Sequence, residues 1–307
     1  MGLRLRFFLW LLHRKPDQIS SMDLNQYRKQ VNKSWKTNRR WIDGRLINVN
    51  QVTDELINNR HGYPIRVRSY QSKIPNGKVL FYLHGGGWVG RNIDTYDNFC
   101  RRVCRNTAMT VYSIGYRLSP ETKFPGAIED GLDVIRHLVS RHRLDENKLH
   151  ICGDSAGGNM AIGMIYLLRF EIQFQKLLLL YPPVSAKLDQ PSMEAYGQGF
   201  IIEKDNIAWM RDQYLDSPEQ FVDPLVSPLY HQDFDFLPPT IVTIGGKDPL
   251  YDQVMEFTRK VQASGKSVAL HQYPTLPHGF YLLHNLSKSV KKAYRDVYRV
   301  FTRVDPG

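Results

Sequence analysis

Residues 151–159 read Ile-Cys-Gly-Asp-Ser-Ala-Gly-Gly-Asn, and they restrict the possible folds more than any other stretch. A short apolar run, Leu149 to Cys152, leads in, and the helix-spaced set Met160, Ala161, Met164, Ile165 and Leu168 leads out. Ser155 therefore stands at a strand-to-helix reversal, with Gly153 and Gly157 two residues to either side. Such a turn forces the serine into an unfavourable backbone region, and the flanking glycines remove the side chains that would clash. The hydroxyl then projects at the carboxyl end of a strand, beside helix N–H groups that favour developing negative charge.

The surrounding pattern alternates. Ile65–Tyr70, Val79–Leu83, Thr110–Tyr116, Leu149–Cys152, Leu177–Tyr181, Ile241–Ile244 and Val268–Tyr273 read as strands. Asp94–Arg105, Gly126–Arg143, the segment after Ser155, Gln253–Ala263 and Leu286–Phe301 read as helices. Strands alternating with helices imply an α/β chain with a mostly parallel, doubly wound sheet covered on both faces. Pro182–Pro239 breaks the rhythm with Phe200, Trp209, Tyr214 and Phe221 among several prolines, and intervals this long usually form lids or binding walls. The expected division is 1–45 as an arm contributing to a helical cap, 46–184 as the first part of the core, 185–236 as the cap insertion and 237–307 as the second part of the core.

Charge is concentrated at the start. Residues 1–45 hold eleven Lys and Arg against three Asp, a balance of +8 within the whole chain's +11. Such an arm can attract anionic surfaces, but no nucleic-acid motif accompanies it, so a solvated helical face is expected and no nucleic-acid partner. Phe7–Leu12 is too short for a signal-peptide core, and His13, Arg14, Lys15 and Pro16 stand where a cleavage site would be. It is also far below the roughly 20 residues that span a bilayer. Arg6 stands where a myristoylation signal needs Ser or Thr. Weak membrane-surface contact through this arm stays open, as does a homodimer. Cys100, Cys104 and Cys152 form neither a disulfide framework nor zinc-ligand spacing, which favours a reducing, cytoplasmic setting.

A serine is a weak nucleophile until a base removes its proton, and that base needs an orienting acid. In doubly wound hydrolases the order is Ser, then Asp or Glu, then His. Asp248 lies just beyond the strand Ile241–Ile244, and His278 lies in the loop after Val268–Tyr273. Asp252 is the rival acid, placed one turn later where it suits a helix start. His84-Gly85-Gly86-Gly87 follows the strand Val79–Leu83 and can turn backbone amides inward. Gly86, Gly87 and Ala156 are the expected oxyanion donors, with His84 fixing the loop. Asp154, Glu129 and Asp130 read as structural hydrogen-bonding groups.

His-Gly-Gly-Gly at 84–87, Tyr-Arg-Leu-Ser-Pro-Glu at 116–121, Phe-Pro-Gly-Ala-Ile-Glu-Asp at 124–130, Gly-Asp-Ser-Ala-Gly-Gly-Asn at 153–159, Asp-Pro-Leu at 248–250 and His-Gly-Phe at 278–280 resemble the hormone-sensitive-lipase-like branch of α/β-hydrolase carboxylesterases. The resemblance covers about residues 60–303. It implies an α/β-hydrolase fold, a Ser155, Asp248 and His278 triad, a Gly86, Gly87 and Ala156 oxyanion hole, a cap, and hydrolysis of small-molecule carboxylic esters without cofactor or metal. Ser119 and Gly126 depart from the family's frequent alanine, and Tyr251 and Gln253 from its commoner Arg and Glu; only local packing is affected. Short to medium acyl chains are expected. A catalytically silent ligand-binding relative and a membrane-surface lipase remain the alternatives, and amides, lactones or carbamates would use the same machinery.

Overall fold

A computed structural model of the chain describes residues 1–13 and 23–302. Arg14, Lys15 and Pro16, part of the signal-peptide reading, and Asp17, part of the charge count, lie outside the described residues. The elements in chain order are α1 (Leu3–His13), α2 (Leu24–Ile42), β1 (Gln51–Asn58), β2 (Pro64–Gln71), β3 (Val79–Leu83), α3 (Asp97–Thr107), β4 (Thr110–Gly115), α4 (Gly126–His142), β5 (Leu149–Asp154), α5 (Ala156–Leu168), β6 (Lys176–Leu180), α6 (Pro191–Tyr196), α7 (Lys204–Tyr214), β7 (Thr240–Lys247), α8 (Tyr251–Ala263), β8 (Val268–Pro277) and α9 (Lys288–Thr302).

Among the described residues, eight strands form one sheet in the order β1-β2-β4-β3-β5-β6-β7-β8. β1 and β2 pair antiparallel, as do β2 and β4, and every later pair is parallel. The mostly parallel sheet expected from the alternation and the α/β-hydrolase fold implied by the resemblance are therefore present. β3, β5 and most of β6 are buried, because helices cover both faces, and their residues are correspondingly apolar. Parallel pairing aligns the carboxyl ends of β5, β7 and β8 along one edge.

Beyond shifts of a few residues at element ends, as in β7 and α3, β1 and β8 differ most from the sequence expectation. β1 was not anticipated, since only Ile57 of its eight residues is buried and an edge strand needs little apolar content. β8 runs to Pro277 instead of stopping at Tyr273. Its prolines are accommodated because it is the outer strand, where a missing ladder donor costs nothing, and its register shifts between Gly245 and Lys247 of β7.

α2 and α7 meet above the carboxyl edge. The Tyr27 and Trp209 rings lie edge to face at 5.5 Å. Arg28 ties α2 to the body, donating from Nε to Val89 O at 2.7 Å, from Nη2 to Ser119 O at 2.7 Å and from Nη1 to Glu121 at 2.7 Å. Later parts of the 182–239 interval bond to the body instead: Asn159 Nδ2 donates to Val226 O, and Lys260 Nζ of α8 to Leu229 O.

Candidate active site

The turn at Ser155 has φ 51° and ψ −125°, a region that side-chain-bearing residues avoid. It is held from both sides. Ser155 N donates to Leu180 O at 2.8 Å, and Ser155 O accepts from Gly158 N and Asn159 N. A Cβ on Gly153 would lie 2.2 Å from Gly157 O, so the reversal closes only with glycine there. The strain therefore persists because the β5-α5 junction over-determines it.

Three strand ends bring the expected side chains together. His278, directly after β8, has Nε2 at 2.9 Å from Ser155 Oγ. Its Nδ1 is 2.8 Å from Asp248 Oδ2, directly after β7. Since a carboxylate can only accept, Nδ1 donates and Nε2 is left to accept from the serine hydroxyl. Asp248 is fully buried, and its other oxygen accepts from Leu250 N at 2.9 Å. Asp252 points elsewhere: its Oδ2 accepts from Ser192 N of α6 at 2.7 Å. Tyr181, whose φ is 42°, packs its ring 4.8 Å from that of His278 and confines the imidazole. Nothing in its sequence position had marked Tyr181 for this role; only the adjacency of β6 to β5 and β7 puts it there.

The glycine loop lies beside the hydroxyl. Gly86 and Gly87 have φ 131° and 61°, and a Cβ on Gly87 would lie 2.1 Å from Met210 Sδ of α7. Among the described residues, the amides of Gly86, Gly87 and Ala156 have no protein acceptor. Gly85 N is engaged, donating to Asp154 Oδ1 at 2.6 Å, and Tyr82 OH donates to the same oxygen at 2.6 Å. Burial pushes Asp154 up to about 6, against the pull of these donors. His84 is held down to about 4 by burial, so it is neutral at pH 7 and its Nδ1 donates to Gly85 O. Tyr116 closes the loop from outside, donating from OH to His84 O at 2.6 Å and stacking at 4.3 Å on the imidazole. Asp130 is likewise structural, accepting from Asn59 Nδ2 and from Arg117 Nε and Nη2.

A narrow and a wide cavity both reach Ser155. The narrow one of about 40 Å³ runs under α7 and is lined by Trp88, Ile207, Met210, Tyr214, Leu215 and Val226 among others. Trp88 and Tyr214 stack there with centroids 4.5 Å apart and planes within 5°. The wide one of about 280 Å³ opens between α1, α2 and the loop after β8, touching Gly86, Arg91, Asp154, Ser155 and His278. Sequence reasoning had anticipated a lid but not this division, which depends on where α7 crosses the sheet edge. Among the described residues no group of three or more His, Cys, Asp or Glu side chains is arranged to hold a metal ion.

An ester carbonyl placed over Ser155 would meet a hydroxyl with an oriented base and a cradle of unpaired amides, the geometry acyl transfer needs. Comparison with known proteins agrees. Residues 80–282 match the alpha/beta hydrolase fold family. An ethyl acetate hydrolase from Pseudomonas putida is 31% identical over 249 residues, 78% of this chain and 78% of that protein. The carboxylic ester hydrolase LipN from Mycobacterium tuberculosis is 34% identical over 220 residues, 68% of this chain and 58% of that protein. The solved hyperthermophilic esterase from Pyrobaculum calidifontis superposes with a TM-score of 0.91 at 28% identity, covering 98% of each chain.

Proposed function

The chain belongs to the α/β-hydrolase family, in its hormone-sensitive-lipase-like branch, and is a carboxylesterase-type serine hydrolase; from that premise we propose that Ser155, Asp248 and His278 are its catalytic triad, acting on esters with a short to medium apolar acyl arm. The observation that carries the assignment is the unbroken chain Ser155 Oγ to His278 Nε2 at 2.9 Å and His278 Nδ1 to Asp248 at 2.8 Å.

In this reading His278 takes the Ser155 proton as Oγ attacks the ester carbonyl carbon. The carbonyl oxygen becomes an oxyanion held by the amides of Gly86, Gly87 and Ala156. Such donors are worth roughly 2.7–4 kcal/mol each to the transition state. The C–O bond to the alcohol then breaks, and His278 returns the proton to the departing oxygen. Water, deprotonated by His278, cleaves the acyl-serine and restores the hydroxyl. Asp248 stays ionised throughout and stabilises the imidazolium.

The acyl arm is assigned to the narrow cavity, whose lining is almost wholly apolar and includes the stacked Trp88 and Tyr214 rings. The alcohol part then occupies the wide cavity. α1, α2, α6 and α7 act together as the cap. A series of p-nitrophenyl esters tests the acyl assignment: kcat/KM should peak at a short chain and shift to longer chains in Tyr214→Ala. An optimum at long chains in the wild type, or no shift in the variant, would overturn it. Ser155→Ala should lose turnover and labelling by a fluorophosphonate while remaining folded.

The same proposal extends to setting and association. Cys100, Cys104 and Cys152 are free and buried, in keeping with a cytoplasmic location. α1 exposes Leu3 and Phe7 beside Arg4 and Arg6, which supports weak contact with anionic membrane surfaces. Among the described residues, no helix is long and apolar enough to cross a membrane. β8, the last strand of the sheet, offers an edge on which a homodimer could form. Vesicle sedimentation and light scattering test the two associations.

A further inference from the structure

The two cavities at Ser155 differ in chemistry as well as size. Where the narrow one is apolar, the wide one is lined on its α2 side by Gln30, Ser34 and Asn38, spaced four apart on one helix face, and by Asn206 of α7. Arg91 lines the same cavity as this polar stripe and the nucleophile.

Arg91 is unusual in two independent ways. Its backbone is left-handed, with φ 62°, a conformation that costs a residue bearing a side chain roughly 1 kcal/mol and that glycine or asparagine would adopt more readily. Gly86 makes the turn feasible, since a Cβ there would fall 2.1 Å from Gly90 O and 3.1 Å from Arg91 Cβ. Arg91 is thus folded back over the oxyanion loop. The second feature is its charge. Arg91 is half-buried, and among the described residues no carboxylate lies within ion-pair distance of it. Asp154 lines the same cavity and feels the Arg91 charge across it, but it makes no direct ion pair with Arg91 and one of its oxygens is taken by Tyr82 OH and Gly85 N. Other half-buried arginines do hold a carboxylate, Arg68 with Asp54 and Arg117 with Asp130.

A guanidinium cannot shed its proton to escape a low-dielectric site, and its planar fork matches the two oxygens of a carboxylate or phosphate. We propose that Arg91 is the anion-recognition residue of the wide cavity, and that the substrate is an ester whose alcohol part carries a carboxylate or phosphate. The inference rests on the ester-hydrolase reading of Ser155. It also gives the basic arm a purpose: α2 carries six Lys and Arg and no acidic residue, and it forms one wall of this cavity, so its field draws anions towards the mouth.

Three aryl acetates with a common acyl group test it: 4-acetoxybenzoate, 4-acetoxyphenyl phosphate and the uncharged 4-acetoxybenzamide. The readout is the ratio of kcat/KM for each anionic ester to that for the amide, compared between wild type and variant so that intrinsic reactivities cancel. Arg91→Gln should lower the ratio about tenfold or more, mainly through KM, as expected for a lost charge-assisted pair. Arg91→Lys should fall between. Arg91→Gly suits the left-handed backbone, so it removes the cation without risk to folding and should match Arg91→Gln. Whichever anionic ester shows the larger drop identifies the group recognised. Equal ratios in wild type, Arg91→Gln and Arg91→Gly overturn the proposal while leaving the esterase reading intact. Failure of the wild type to hydrolyse any of the three would instead strike the esterase reading itself.

Discussion

Gly157 and Leu83 meet across the nucleophile turn: a Cβ on Gly157 would stand 2.0 Å from Leu83 O and 2.7 Å from His84 O. The first turn of α5 and the root of the glycine loop are therefore in backbone contact. One glycine sets the spacing between nucleophile and oxyanion donors. Gly157→Ala should force the two apart, costing about 1–3 kcal/mol of stability and a larger share of kcat than of KM. Urea unfolding and steady-state kinetics on one short ester check both; an alanine variant with wild-type kcat would show that the loop moves freely.

The strain at Ser155 leads to a second expectation. At φ 51° and ψ −125°, alanine suffers as serine does, whereas glycine does not. Both Ser155→Ala and Ser155→Gly should be inactive, but the glycine variant should be the more stable by about 1 kcal/mol. Thermal melts of the two side by side give the answer, and equal midpoints would mean the turn is not strained.

Asp248 and Asp252 are four residues apart and play different parts. Asp248→Asn should leave the fold intact yet favour the wrong imidazole tautomer, lowering kcat by roughly 10⁴-fold on the precedent of serine proteases. Asp252→Asn loosens the anchor of α6 at Ser192 and should change kcat by less than about tenfold. Reversed magnitudes would exchange the assignments.

Acid should weaken the fold. Burial holds His84, His150 and His284 down to about 4, against an ordinary 6.5. Between these values the unfolded chain binds the more protons, so the histidine contribution is complete above about pH 6.5 and is lost as pH falls towards about 4. Asp154 works in the opposite sense: raised to about 6, it keeps its proton in the folded state where the unfolded chain has released it, and stability drops as pH rises from about 4 to 6. Three histidines outweigh one carboxylate, so the urea midpoint should fall between pH 7 and 4.5. His150, whose two nitrogens have no hydrogen-bond partner among the described residues and whose ring meets Phe301 edge on, is the position to test. His150→Phe should flatten part of the slope, and an unchanged slope would remove His150 from the account.

Local chemistry along the chain determined the strand-turn-helix at Ser155, the buried strands of the sheet centre and the loop that lets Gly86 and Gly87 turn, because each depends on residues only a few positions apart. The same locality explains the misses. β1 is a polar edge strand whose pairing with β2 carries its stability, and β8 continues through prolines because, among the described residues, no strand pairs on its outer side.

Contacts between distant segments were decided by the tertiary structure alone. Both Asp248 and Asp252 follow β7, and only the approach of β8 to β7 shows which one His278 meets. Tyr181 against His278, Arg28 clasping Glu121, and α7 dividing the space above Ser155 into a narrow apolar cavity and a wide one bearing a polar stripe all join residues far apart in the chain. A backbone turn is encoded by its own few residues, whereas the shape and charge of a cavity belong to whichever side chains the sheet edge and cap bring to face each other.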